Sequence, residues 1–447
     1  MSTTTPITAR AFLSHSHRDQ AVALDLARVL EQRGVQTYTY EYDMGFGEPI
    51  VDAIEGELTK SDYVLFLLTD GARRSSWVSR ELGLALQLRQ ASGMTHPAII
   101  GIRTDQSLAS AVFDVLDFRT GEPTGLPPHD FATSRWLDYR PHDEAMLEAF
   151  VDFLLPKITF IDGDTHSDEE LLLDSFACYE DSFPDAAERD QPEDIIEWLE
   201  MARHAAENGS PWREVYAVLS IAGRAAGMAF FTAHTRREWS FANYLAVRKG
   251  WRQLRRTEWF LKGVADRLRE QSPGMKGVVF EIDPIDVSLL QHAAKESAIG
   301  ALLGQRAIVA NLRALRRLNW YQSYHARAIV HSDGQPIEYR QPAMDEASSQ
   351  PSERVLIPMV KTFDNADLGS GDFRSIIDFL YDDLYGDAYA EGPMMRDGFR
   401  DYVRKLKEVA IAQLNHDTRL GPVRMPDAVR DLLNRARREG FLDQLDL

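Results

Sequence analysis

Ser75-Ser76-Trp77-Val78-Ser79-Arg80-Glu81-Leu82 decides how the first third of this chain is read. It follows an apolar run, Tyr63 to Leu68, and a short polar turn, Asp70 to Arg74. It leads into a helical pattern carried by Leu82, Leu84, Ala85, Leu86 and Leu88. That order predicts strand, turn, helix. Trp77 and Glu81 are four apart, so on a helix they share one face. A carboxylate in the first turn of a helix lies near the positive end of the dipole. An aromatic plate beside a carboxylate, at the carboxyl end of a strand in an open α/β sheet, stands where such folds place ligands. The expectation is an open cleft at Glu81 able to take a dinucleotide.

Working outward, Ala11-Phe12-Leu13 reads as a strand ending in the polar cluster Ser14-His15-Ser16-His17-Arg18-Asp19. Val22, Leu26, Val29 and Leu30 recur at helical spacing, and Gly34 closes that helix. Val35 to Tyr40 is a second strand, and Asp43 to Pro49 a glycine-rich loop. Ile50, Ile54 and Leu58 stripe a second helix. Pro97 to Ile102 reads as a further strand and Leu147 to Leu155 as the last helix of this part. Strands alternating with helices imply a parallel sheet covered on both faces.

The chain has 447 residues, enough for two or three domains, with 44% hydrophobic content. No apolar run reaches the length of a membrane span, and Met1 to Arg10 lacks the apolar stretch of a secretory signal. Cys178 is the single cysteine, so no disulfide closes within the chain, which fits a cytoplasmic protein. The net charge of −19 argues against bulk nucleic-acid binding. It is uneven: residues 158–200 hold 15 Asp and Glu against Arg189 alone. That block marks a boundary. The division expected is residues 1–157, an acidic linker at 158–173, and 174–447. His15 and His17 lack a third ligand at metal spacing, so no metal is expected.

In the second part, Leu171 to Tyr179 and Asp194 to Glu207 read as helices. Val215 to Ile221 and Met228 to His234 read as a strand pair, and Tyr244 to Val247 as another strand. A long helix covers Trp251 to Leu268, and Gly277 to Ile282 is a strand. Ala307 to Trp320 reads as a helix, with strands at His325 to Val330 and Val355 to Val360. Phe373 to Leu384 and Phe399 to Leu414 close the chain as helices.

Phe12-Leu13-Ser14-His15-Ser16, the Asp43 to Pro49 loop, Ser61-Asp62 and the Ser76 to Leu82 stretch together resemble a bacterial TIR domain. The resemblance implies a flavodoxin-like parallel sheet, cleavage of NAD at the nicotinamide–ribose bond, and Glu81 as the catalytic glutamate. It places Phe12, Ser14, His15, Asp43, Gly45, Ser76 and Trp77 around bound NAD. It also implies self-association, the Asp43 to Pro49 loop packing on the neighbouring TIR domain, and an immune-type role in bacteria such as defence against phage. The chemistry agrees: nicotinamide is already a cationic leaving group, so a carboxylate that stabilises an oxocarbenium-like transition state is what helps.

The second part resembles a GNAT acetyltransferase, on Tyr179 to Arg189, Tyr244-Leu245-Ala246-Val247, Trp320-Tyr321 and Tyr339-Arg340-Gln341-Pro342. The expected fold is thus an α/β TIR domain followed by an α+β GNAT-like domain with extra C-terminal helices. Acetyl-CoA would contact Val247, Arg252, Arg255 and Thr257. The family's pyrophosphate loop carries two glycines; Arg252-Gln253-Leu254-Arg255-Arg256-Thr257 has none, which points to a degenerate domain that senses a protein or small-molecule trigger. Tyr321 falls at the family's general acid, and Glu281 on a strand that often carries a base. Two rival readings stand beside the NAD glycohydrolase: an acetyltransferase with a scaffolding TIR domain, and an adaptor without turnover.

Overall fold

The computed structural model describes residues 9–40, 50–91, 97–104, 112–131, 136–140, 143–161, 169–183, 189–248, 256–295, 305–342, 353–363, 368–387 and 398–438. Asp43, Gly45, Arg252 and Arg255 lie outside the described residues.

Two sheets organise the chain. The first has five parallel strands: β1 (Ala9–Ser14), β2 (Val35–Tyr38), β3 (Tyr63–Leu67), β4 (Ala98–Arg103) and β5 (Trp136–Asp138), in the order β2-β1-β3-β4-β5. Strand β3, Tyr-Val-Leu-Phe-Leu, is buried on both faces, as a central parallel strand must be. Helices α1 (Gln20–Gln32), α2 (Ile50–Lys60), α3 (Ser76–Ala91) and α4 (Glu144–Leu154) cover the sheet. Leu13, Leu65 and Ile100 face one core with Leu26 and Phe150, and Phe12, Val64 and Phe66 face another with Leu58 and Leu82. The alternation of side chains along each strand produces this division.

The second sheet opens earlier than the sequence implied. Strand β6 (Lys157–Ile161) pairs antiparallel with β7 (Trp212–Ile221), so residues 158–161 are sheet edge and not linker. Helices α5 (Glu169–Ser182) and α6 (Pro192–Glu207) stand between those strands in sequence. Strands β8 (Arg224–His234), β9 (Trp239–Val247) and β10 (Gly277–Ile282) follow, with α7 (Arg256–Gln271) before β10 and α8 (Arg306–Ser323) after it. Strands β11 (Arg327–Val330), β12 (Tyr339–Gln341), β13 (Arg354–Thr362) and β14 (Arg419–Gly421) complete a sheet of order β14-β11-β13-β10-β9-β8-β7-β6, with β12 on β13. Pairing is antiparallel except between β9 and β10.

That parallel pair is brief. Trp239, Ser240 and Phe241 match Gly277, Val278 and Val279, and the ladder then stops. The carboxyl halves of β9 and β10 diverge. The expected single helix Phe373 to Leu384 is instead α9 (Ser370–Asp378) running into a π-helical stretch, Phe379–Asp387. Helices α10 (Phe399–Ala412) and α11 (Asp427–Arg438) end the described chain. No described helix is long and apolar enough to cross a membrane.

Candidate active site

Glu81 is the sixth residue of α3, which starts at Ser76, so it lies in the second turn and not the first. It is also not in an open cleft: its exposure is 1%. One carboxyl oxygen, Oε2, accepts from the hydroxyl of Ser14 at 2.5 Å. The other, Oε1, is buried with no hydrogen-bond partner among the described residues. Burial pushes the carboxyl up to about 8, with the Ser14 hydrogen bond pulling the other way. Burial thus favours the neutral acid in this conformation. A buried acid with an unmet oxygen, at the carboxyl end of a parallel sheet, is the kind of perturbed group that active sites hold.

Ser14 ends β1 and is fully buried. His15, next in the chain, is 2% exposed. Its Nδ1 faces the Leu13 carbonyl at 3.1 Å. A carbonyl only accepts, so Nδ1 carries the proton of that bond. Nε2 too is buried without a partner among the described residues. The ring lies 5.8 Å from that of Tyr40.

Three other residues expected around NAD differ in their surroundings. Phe12 is fully buried and stacks on Tyr38 at 5.6 Å, as core beneath the site. Trp77 is half-buried with the Arg80 guanidinium 4.6 Å from its ring centre, so a cation already occupies a face of the aromatic plate. Arg80 donates onward to the carbonyls of Phe118 and Arg119. Ser76 is exposed at the start of α3. The clamp on α3 is the segment 112–123, which the sequence did not single out. Leu116 donates its amide to the Ser79 carbonyl, and a Cβ on Gly83 would meet the Leu116 carbonyl at 1.9 Å. Only glycine admits that approach.

In the second sheet the divergence of β9 and β10 opens a cavity of 1210 Å³, lined by Tyr244 and Leu245 on one side and Phe280 and Glu281 on the other. Glu281 Oε1 accepts from the Tyr385 hydroxyl at 2.8 Å. Burial pushes this carboxyl up to about 7, while that hydrogen bond and nearby Arg354 oppose the shift. Tyr321 lies 4.4 Å from Phe280, ring to ring, and burial raises its hydroxyl. Val247 and Thr257 are buried and stand outside the lining. The Thr257 hydroxyl has no partner among the described residues.

Residues 11–148 match the TIR domain family model, and this part of the chain is a TIR domain. No curated protein matches. Solved structures similar to part of the chain include a putative GNAT-family acetyltransferase from Desulfovibrio desulfuricans, 12% identical over 46% of this chain and 99% of that one, TM-score 0.30. An aminoglycoside 6'-N-acetyltransferase from Enterococcus faecium is 11% identical over 46% of this chain and 96% of that one, TM-score 0.29. Another such enzyme, solved with coenzyme A, is 14% identical over 46% and 96%, TM-score 0.28. Likeness at this level carries no statement about activity. Among the described residues the second part is a mixed sheet whose one parallel pair, β9 with β10, parts beside the cavity.

Proposed function

We propose that this chain is an NAD glycohydrolase whose TIR domain cleaves the nicotinamide–ribose bond through Glu81, under control of the GNAT-like part. The observation that carries the reading is the buried Glu81 carboxyl, held by Ser14 on one oxygen and unmet on the other. In the reaction the C1'–N bond breaks and its electron pair stays on nicotinamide, which leaves neutral. The positive charge developing on the ribose is met by an ionised Glu81, and water completes ADP-ribose.

Neutral and covered, Glu81 cannot do this in the conformation described. Activity requires α3 or its surroundings to open, which hydrates the carboxyl and lets it ionise. Self-association of TIR domains is the proposed opener, and a ligand or partner at the GNAT-like part the proposed trigger. The biological setting proposed is bacterial defence against phage by depletion of NAD or release of a signal nucleotide.

The cavity beside Glu281 favours a second reading, acetyl transfer from acetyl-CoA. One experiment separates the two. Concentrated protein is incubated with NAD, with and without acetyl-CoA and a mixed amine pool, and products are resolved by mass. Nicotinamide with linear or cyclic ADP-ribose supports the first reading. Acetylated amine without nicotinamide replaces it with the second.

A further inference from the structure

We propose that His15 activates the water that captures the ribosyl cation, an assignment that rests on the glycohydrolase reading above. Two buried polar atoms at the carboxyl end of β1 lack partners among the described residues: Glu81 Oε1 and His15 Nε2. Both belong to neighbours of Ser14, which binds Glu81 through its hydroxyl and precedes His15 in the chain. A buried polar atom left unmet is costly, so two beside one serine mark a place where ligand groups complete the bonding.

The two atoms suit different parts of the reaction. Glu81 matches the sugar and its developing charge. Nicotinamide needs no proton as it leaves, so its departure gives a histidine nothing to do. Water does need a base: as its oxygen bonds to C1', it must give up a proton. Nε2 of His15 is the ring nitrogen left to accept that proton, because Nδ1–H is committed to the Leu13 carbonyl at 3.1 Å. The same carbonyl then steadies the imidazolium, as an acceptor behind a catalytic histidine does. The ring is held in this orientation beside Tyr40. NAD and water thus become nicotinamide, ADP-ribose and one proton, which His15 passes to solvent before the next turnover.

The test is chemical rescue. His15→Phe keeps a ring and removes the base. Nicotinamide release is followed in the full chain, with and without sodium azide. Azide is already an anion and attacks C1' without losing a proton. The expected result is a loss of about 100-fold in hydrolysis, recovered by azide with formation of azido-ADP-ribose. Unchanged hydrolysis, or a loss that azide does not recover in folded protein, overturns the assignment. Should His15→Phe not fold, His15→Gln replaces it; its amide accepts a hydrogen bond but takes no proton, and the same recovery is expected. Glu81→Gln separates the two claims. Wild-type release that depends on Glu81 but not on His15 removes only this assignment, whereas no release by wild-type protein removes the glycohydrolase reading and this one together.

Discussion

Glu81 in the parallel sheet and Glu281 in the mixed sheet are both carboxyls that burial drives upward, to about 8 and about 7. Each accepts one hydroxyl, from Ser14 at 2.5 Å and from Tyr385 at 2.8 Å. They differ in what surrounds the second oxygen. Glu81 is sealed by α3 against the end of β1, with Oε1 unmet among the described residues. Glu281 stands in the wall of a 1210 Å³ cavity with Arg354 near enough to favour its charged form. Burial alone thus does not separate a latent acid from an accessible one. The parallel sheet holds a raised carboxyl without access, and the mixed sheet holds one in a cavity wall, where Tyr385 and Arg354 oppose the shift.

Four substitutions sharpen that contrast, in decreasing order of effect. Glu81 stays protonated in the folded chain up to about pH 8, while the unfolded chain ionises near 4.5. As pH rises through that window the unfolded state sheds a proton that the folded state keeps, so stability falls and levels off above about 8. Glu81→Gln removes this cost. It is expected to stabilise the chain at pH 8 by on the order of 3 kcal/mol and by little at pH 4.5, read by denaturant titration at the two pH values. Gly83→Ala drives a methyl into the Leu116 carbonyl and should cost about 2 kcal/mol, with faster amide exchange in α3. Tyr385→Phe removes the donor to Glu281. It should cost about 1 kcal/mol and push that carboxyl above about 7, visible by carbon NMR titration. Arg224→Ala breaks a pair with Asp174 in which the arginine is 64% exposed, and a change of about 0.5 kcal/mol in urea unfolding is expected.

Much of the fold was legible in the sequence. Tyr63 to Leu68 is a continuous apolar run, but the polar stretch after it, expected as a turn, is a short helix, Asp70–Arg73, capped by Thr69, and α3 begins only at Ser76. The Gly277 to Ile282 strand and the two helices after residue 169 were equally plain. The state of Glu81 was not legible, because the hydroxyl that holds it is 67 residues away in sequence. Trp77 read as a stacking plate, although Arg80 three residues on is what fills its face. Strand β6 is hidden by the acid-rich residues that follow it: three of the four residues from Ile158 to Ile161 are apolar, but the charge beyond them has the composition of a linker. The π-helical stretch keeps an apolar pattern close to that of an α-helix, so its changed hydrogen bonding leaves no mark in composition. The cavity depends on a ladder that stops after three pairs, a register effect and not a motif.

The central claim is that the Glu81 carboxyl performs the cleavage. It is tested most directly by following nicotinamide release from NAD by concentrated wild-type and Glu81→Gln protein, each checked for folding at pH 8. The account predicts release by wild type and at least a 1000-fold loss, about 4 kcal/mol, in a variant that is the more stable of the two. Release by Glu81→Gln at the wild-type rate would contradict it.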